Sequence, residues 1–357
     1  MDIKKGTKKI VINSLLLITI FFFIGFSIYN YLDSTNENIY EQSSLTFAEI
    51  PQDMITETSQ ELSDLGNGYS LGVESNKTKQ MTKNAQVEGR ISMDASEDTL
   101  EIYFSNNSDN ENFIFKVFYD YEEVPFKFLN ESIENKFDTS LVVNLGQRKT
   151  IEIPIQLSPD VLKEDNQSHK LTVGVYASPE KHAKNVELMT DFYGMTMDYE
   201  LFFGESGEIS LKKSKSNVLK TFDDVPFQGV MINQERNISE PIEIIPYPSY
   251  SIKAKKGEKI ELTNFVNVVN YFPEEEVENY LILSMLDWKQ IKMNGQPYLL
   301  LDANEGTDYG VFSITAPEKA GLYEFAAFIV PNPDNARNAD NFFFLDHAYR
   351  FTIEVVE

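Results

Sequence analysis

The chain has no cysteine, only three histidines and a single tryptophan in 357 residues. Without cysteine there is no disulfide, no thiolate nucleophile, no zinc–thiolate site and no iron–sulfur cluster. A lipoprotein anchor is excluded as well, because it needs an acylated cysteine after the signal. Exported eukaryotic domains usually carry disulfides, so their absence points to a bacterium, and best to a Gram-positive one. His169, His182 and His347 show no metal-ligand spacing, and no H-E-x-x-H occurs. The G-x-S-x-G elbow of serine hydrolases is also missing. Gly204-Glu205-Ser206-Gly207 has a similar composition but the wrong spacing. Carboxylates abound, yet a glycosidase pair needs a cleft and one raised pKa, which composition does not supply. Positive charge is scarce: 31 Lys and Arg stand against 56 Asp and Glu, for a net charge of −25. Phosphate binding needs a positive surface, so nucleic acid is not an expected partner. These absences leave no reaction to assign, and the expectation is a protein that is not an enzyme.

What is present begins at the N-terminus. Residues 1–9 form a basic flank with Lys4, Lys5, Lys8 and Lys9. Residues 10–32 hold an almost unbroken apolar run that ends in Tyr29 and Tyr31. Asp33, Glu37 and Glu41 follow. A basic side, an apolar segment of spanning length and an acidic side predict a single-pass signal-anchor, N-terminus cytoplasmic and bulk extracytoplasmic. Gly25-Phe26-Ser27 approximates a signal-peptidase site, so secretion after cleavage near Ser27 is the alternative. The C-terminal residues, Phe351 to Glu357, read as a last strand with no wall-sorting or lipid-anchor signal.

Beyond the anchor, roughly 270 residues suffice for two domains with their own cores. Apolar residues make up 42% of the chain, with 26 Phe and 18 Tyr, which favour strands. Residues 33–83 are acid-rich and read as a self-repelling stalk, its end near Gly68 to Val73 already strand-like. Residues 84–204 give short strand signals separated by turn clusters, a first β-sandwich. Pro154, inside the period-2 run Thr150 to Leu157, predicts an edge or a bulge there. Residues 205–245 read as a connector, although Val218 to Ile232 is apolar enough to pack on a domain. Residues 246–357 give a second strand series, with Asn294-Gly295 as a two-residue hairpin turn. Gly321-Leu322-Tyr323 followed by Phe325 fits a tyrosine corner, in which a Tyr near the start of a strand stands two residues before an inward core position. The two series share no close similarity residue by residue, so they read as two modules and not as a repeat array. The fold class is therefore all-β: an N-terminal transmembrane helix followed by two immunoglobulin-like β-sandwich domains.

On its strand count and its Gly321-Leu322-Tyr323 corner, the C-terminal series resembles bacterial extracellular immunoglobulin-like β-sandwich modules. The resemblance implies a fold and no particular function, because such sandwiches serve as adhesins, spacers and receptors alike.

Three groups of residues are candidates for chemistry or contact. Asp302, Asn304 and Asp308 alternate as oxygen ligands of calcium do, although Gly306 falls one position early for an EF-hand loop. Asp, Asn and Gly also dominate ordinary turns for backbone reasons. Phe343 points outward if Phe342 and Phe344 point inward, so it is a candidate partner contact. Trp288 is either a core residue or a second partner contact. No other cofactor is expected. The functional expectation is a membrane-anchored extracytoplasmic protein that binds an envelope or cell-surface protein through its sandwiches. The alternative is a carbohydrate-binding or wall-processing accessory protein. A row of solvent-facing aromatics beside two carboxylates would favour the alternative. Buried aromatics in a closed sandwich would favour the first reading.

Overall fold

Strands in this chain are of two kinds. Some alternate apolar and polar residues, and others are apolar almost throughout, which is the pattern of a strand buried on both faces. A computed structural model shows where each kind goes. It describes residues 45–59, 68–75, 89–96, 98–129, 136–165, 167–182, 194–205, 207–209, 219–222, 229–234, 251–268, 277–335 and 344–357. All of them belong to one compact unit, 44–357. The expected membrane segment and its cleavage site lie outside the described residues. Among the described residues no helix is long and apolar enough to cross a membrane.

The first sandwich contains β1 (Ile55–Glu57), β2 (Tyr69–Ser75), β3 (Arg90–Met93), β4 (Leu100–Asn106), β5 (Asn112–Tyr119), β6 (Glu122–Glu123), β7 (Phe126–Phe128), β8 (Leu141–Asn144), β9 (Lys149–Leu157), β10 (Ser168–Ala177) and β11 (Gly194–Phe203). One sheet runs β1-β9-β4-β2, with β7 also on β9. The facing sheet runs β11-β10-β5-β6, with β3 parallel to β11 and β8 on β5. The second sandwich contains β12 (Lys220–Phe222), β13 (Gly229–Gln234), β14 (Ser251–Lys255), β15 (Lys259–Asn267), β16 (Asn279–Leu286), β17 (Lys289–Gln290), β18 (Leu299–Asp302), β19 (Thr307–Thr315), β20 (Gly321–Pro331), β21 (Phe344–Leu345) and β22 (Phe351–Val356). Its sheets run β12-β19-β15-β13 and β14-β22-β20-β16-β17, with β18 on β16. β21 leaves this module and pairs with β11 of the first.

Two expected boundaries are corrected by this arrangement. The stalk expected over 33–83 supplies β1 and β2, because Leu71 and Val73 are buried while Ser70, Gly72 and Glu74 between them are only half-buried. Ile55 pairs with Ile151, and Ala48 N–H donates to the Val142 carbonyl. The connector expected over 205–245 supplies β12 and β13, whose Phe222, Val230, Met231 and Ile232 are buried. These strands are short and are flanked by charged residues such as Asp53, Glu61, Asp64, Asp223, Asp224 and Glu235. A charge count over a window therefore reads as linker where a short apolar stretch within it forms a strand.

Other expectations hold in detail. Asn294 and Gly295 both have positive φ, 51° and 80°, and Met293 and Gln296 bond across the turn. The Tyr323 hydroxyl donates to the Lys319 carbonyl four residues back at 2.8 Å, and Phe325 is fully buried. The C-terminal module is thus an immunoglobulin-like sandwich with a tyrosine corner. Pro154 is not on an edge strand, since β9 is paired on both sides. Its carbonyl accepts from Leu129 N–H on the outer side, where β1 ends at Ile151 and β7 begins at Ile155. The missing proline N–H falls in that gap in the ladder.

Each sandwich has its own core. Phe104, Phe113, Phe115, Ile153 and Val173 are among those filling the first; Ile282, Phe312, Ile314, Phe325 and Phe351 are among those filling the second. A third apolar cluster joins them. It takes Ile114, Phe118, Tyr121 and Tyr176 from the first module and Leu281, Leu283, Met285, Trp288 and Phe328 from the second. Alternate residues of β5 and β16 therefore face their own core and this seam, which is why both strands are nearly uninterrupted apolar runs. The result is a stack of four sheets with three buried layers.

Candidate functional site

The seam between the modules gathers most of the buried charge. Arg350, 3% exposed, ion-pairs with Glu324 at 3.0 Å. Its remaining donors cross to the first module, to the carbonyls of Ala177 (2.7 Å), Ser178 (3.3 Å) and Lys181 (3.1 Å). The guanidinium also lies over the Trp288 ring, 4.6 Å from its centroid. On the other side, Lys170 pairs with Asp198 at 3.4 Å and donates to the Asn335 carbonyl at 2.6 Å. Asp198 accepts further from Thr172 (2.8 Å), and the Tyr121 hydroxyl shares its single proton between Asp198 (3.1 Å) and the Pro333 carbonyl (3.0 Å). Each charge is thus paired and hydrogen-bonded, as buried charge must be. Lys116 pairs with Glu123 beside the seam, and burial lowers the Lys116 pKa.

Two histidines border this region. His182 is 3.5 Å from the Glu324 carboxylate, and neither ring nitrogen has a hydrogen-bond partner among the described residues. His347 packs against Tyr176 and Phe328, with ring centroids at 5.4 and 6.0 Å. Its Nε2 is sealed from solvent and lacks a partner among the described residues. Burial pushes its pKa down to about 3, so it is neutral near pH 7. Asp287 is raised by burial, against the opposing pull of His182 and Lys289.

Trp288 is a seam residue and not a partner contact. It is 3% exposed, its indole N–H donates to the Pro179 carbonyl at 3.0 Å, and its ring meets Tyr176. Phe343 lies outside the described residues. Of the calcium candidates, Asn304 and Asp308 are brought together, with Asn304 donating to Asp308. Asp302 is exposed, whereas Asp308 is buried between strands. The Asp308 carboxylate accepts from Thr221 (2.8 Å) and from the side chain (2.9 Å) and backbone N–H (3.3 Å) of Asn304. Burial raises its pKa against those bonds. Its oxygens are occupied by protein donors, so it acts as a clamp holding the β18–β19 loop and β12 together. Among the described residues, no three His, Asp or Glu side chains gather as a metal site.

His169 reads as a solvated turn residue in sequence, and the structure corrects this. It is 4% exposed and stacks on Tyr119. Its Nδ1 lies 2.9 Å from Asp120 and its Nε2 lies 3.1 Å from Asp165. Burial alone would lower its pKa, but the two carboxylates outweigh burial and raise it. Asp120 is correspondingly held below its ordinary range despite its own burial.

A groove of about 330 Å³ opens beside the outer strands β13 and β14 of the second module. Gln234, Lys253, Glu258, Lys259 and Glu261 line it, and several are already paired: Lys253 with Glu354, and Lys259 with Glu261. It has no aromatic lining and resembles an open sandwich edge more than a ligand pocket.

The seam residues Lys170, Glu324 and Arg350 were not singled out in the sequence. Their one signal is a charge within or next to a largely apolar strand, where a satisfied partner is obligatory once it is buried.

No protein-family model matches the chain, and no curated protein does. Among solved structures, similarities are to β-sandwich domains. The C-terminal domain of the Streptococcus agalactiae AgI/II polypeptide BspA covers 80% of this chain and 100% of its own, at 9% identity and TM-score 0.21. The C-terminal domain of the Streptococcus pyogenes antigen I/II-family protein AspA covers 81% and 99%, at 8% and 0.21. MyfA, the major subunit of Myf fimbriae from Yersinia enterocolitica, covers 38% and 99%, at 10% and 0.22. At such scores these similarities add nothing to what the strand pairing itself establishes.

Proposed function

We propose that the chain is a membrane-anchored extracytoplasmic protein that binds an envelope or surface partner through its β-sandwich unit, without catalysis. The observation that carries this reading is the fate of the aromatics. Trp288 and Tyr298, which a glycan-stacking platform would expose, are buried in the seam at 3% and 7% exposure. Phe222, Phe265 and Tyr309 on the outer sheet of the second module are buried too. The basic–apolar–acidic order of residues 1–41 supports the anchor and its orientation. The acidic surface keeps the unit soluble and away from anionic lipid.

The test begins with location. Full-length protein should sediment with membranes and be digested by protease added outside intact cells. Deletion of residues 10–32 should abolish sedimentation. Protection from external protease would overturn the orientation. In crosslinked membranes, the full-length chain should then capture a defined envelope protein, and Phe343→Ser should lose it. Capture of wall glycan with no protein would favour the carbohydrate-binding alternative.

A further inference from the structure

Nine strands of the first sandwich correspond in order and pairing to nine of the second. β2, β3, β4 and β5 correspond to β13, β14, β15 and β16. β6, β8, β9, β10 and β11 correspond to β17, β18, β19, β20 and β22. Among these nine strands of each module every pairing is reproduced, including the parallel pairs β3·β11 and β14·β22, whereas β1 and β7 both lie on β9 where β12 lies on β19. Fine detail repeats as well. The turn after β5, Asp120-Tyr121, has φ of 50° and 64°, and so does the turn after β16, Asp287-Trp288. β10 is followed by Ser178 (φ 49°) and Pro179, and β20 by Asn332 (φ 41°) and Pro333. At the corner, His169 reaches Asp165 as Tyr323 reaches Lys319, each four residues back.

The contacts across the seam are reciprocal in the same frame. Tyr121 donates to the Pro333 carbonyl at 3.0 Å, and Trp288, its counterpart, donates to the Pro179 carbonyl at 3.0 Å. Glu123 N–H donates to the Gln290 side chain at 2.6 Å, and Gln290 N–H donates to the Glu123 carboxylate at 3.3 Å. The buried ion pairs also correspond, with their signs exchanged. Lys170 lies opposite Glu200, and Glu324 opposite Thr352; two residues before these partners stand Asp198 and Arg350. The cation of each pair reaches over the seam: Lys170 to the Asn335 carbonyl and Arg350 to that of Lys181, each two residues beyond the proline.

When residue i meets j and the counterpart of j meets the counterpart of i, the interface is isologous, the arrangement of a two-fold dimer. We propose that the seam is an isologous interface closed within one chain: two copies of one module paired as the subunits of a symmetric dimer pair. The face each module presents there fits another copy of this fold and not a foreign ligand. The exchanged ion-pair signs mark the two faces as complementary partners that have diverged. An envelope partner then has to be met on the outer sheets and loop ends.

Hydrogen exchange read by mass spectrometry on the full-length chain tests this. In a reciprocal interface each cation acts on the opposite module. Lys170→Met should raise exchange around residues 332–335 by roughly tenfold or more, and Arg350→Met around 178–181. Lys170→Arg keeps a cation in place and should leave residues 332–335 within about threefold of the native rate, whereas Arg350→Lys keeps the charge but not the fork and should fall between native and Arg350→Met at residues 178–181. Loosening confined to the substituted module, or crossing the seam in one direction only, overturns the proposal. If either Met variant fails to fold, Tyr121→Phe and Trp288→Phe replace them. Each removes one donor to the opposite proline carbonyl, and the same mirrored pattern is required.

Discussion

The two modules follow one strand plan but solve burial differently. In the first, β10 carries His169, Lys170 and Thr172 through a fully buried strand, and the seam cation is a lysine that donates to the Asn335 carbonyl. In the second, the corresponding strand carries Tyr323 and Glu324, and the cation is an arginine just before β22 that donates to three carbonyls across the seam. Backbone pairing thus tolerates exchange of the charged residues as long as each buried ion keeps a full set of partners. The planar guanidinium, with donors in a fixed fork, holds more of the opposing loop than an ammonium can.

The largest expected effect tests that asymmetry. Arg350→Ala leaves Glu324 buried without its cation and three carbonyls without a donor, so it should cost about 3–5 kcal/mol. Lys170→Ala should cost less, about 2–3 kcal/mol, because Asp198 retains two hydroxyl donors, Thr172 and Tyr121, where Glu324 retains Thr352. Denaturant unfolding of the two variants measures both, and equal losses would remove the distinction.

Acid should act through the crossing segment. The His347 pKa is depressed to about 3, so its contribution is complete above the unfolded value near 6.5 and is lost as pH falls toward 3. His347→Gln should flatten the decline in stability between pH 6.5 and 4, as measured by urea midpoints across that range. An unchanged slope would place the acid sensitivity elsewhere.

The corners should differ in their response to pH. The His169 pKa is raised, so its contribution is complete below about 6.5 and is lost as pH rises through its folded value. Asp120 is depressed, and its contribution disappears as pH falls. His169→Phe should remove the alkaline part of this dependence in thermal melts between pH 6 and 9. Tyr323→Phe, the smallest effect, should cost about 1 kcal/mol with no change across that interval.

Much of the second module was legible in the sequence. Gly321-Leu322-Tyr323 and Asn294-Gly295 are short-range signals whose meaning is local: a hydroxyl finding a carbonyl four residues back, and two residues tolerating positive φ. β1 and β2, and β12 and β13, were less legible, because three to seven residues amid acidic sequence carry too little pattern without the strand they pair with. The duplication was hidden because corresponding residues differ in chemistry: Tyr121 against Trp288, His169 against Tyr323, Lys170 against Glu324. What repeats is backbone conformation and pairing, which many side chains satisfy.

The sequence by itself determined the class of fold, most strands, the turns and the corner, since these depend on period-2 patterning and on residues a few positions apart. Only the tertiary structure decided what covers each face. An apolar side of β5 or β16 is written in the chain, but its partner lies more than 150 residues away. The same long-range pairing made Trp288 a seam residue, turned Asp308 into a loop clamp and drew the expected stalk and connector into the two sandwiches.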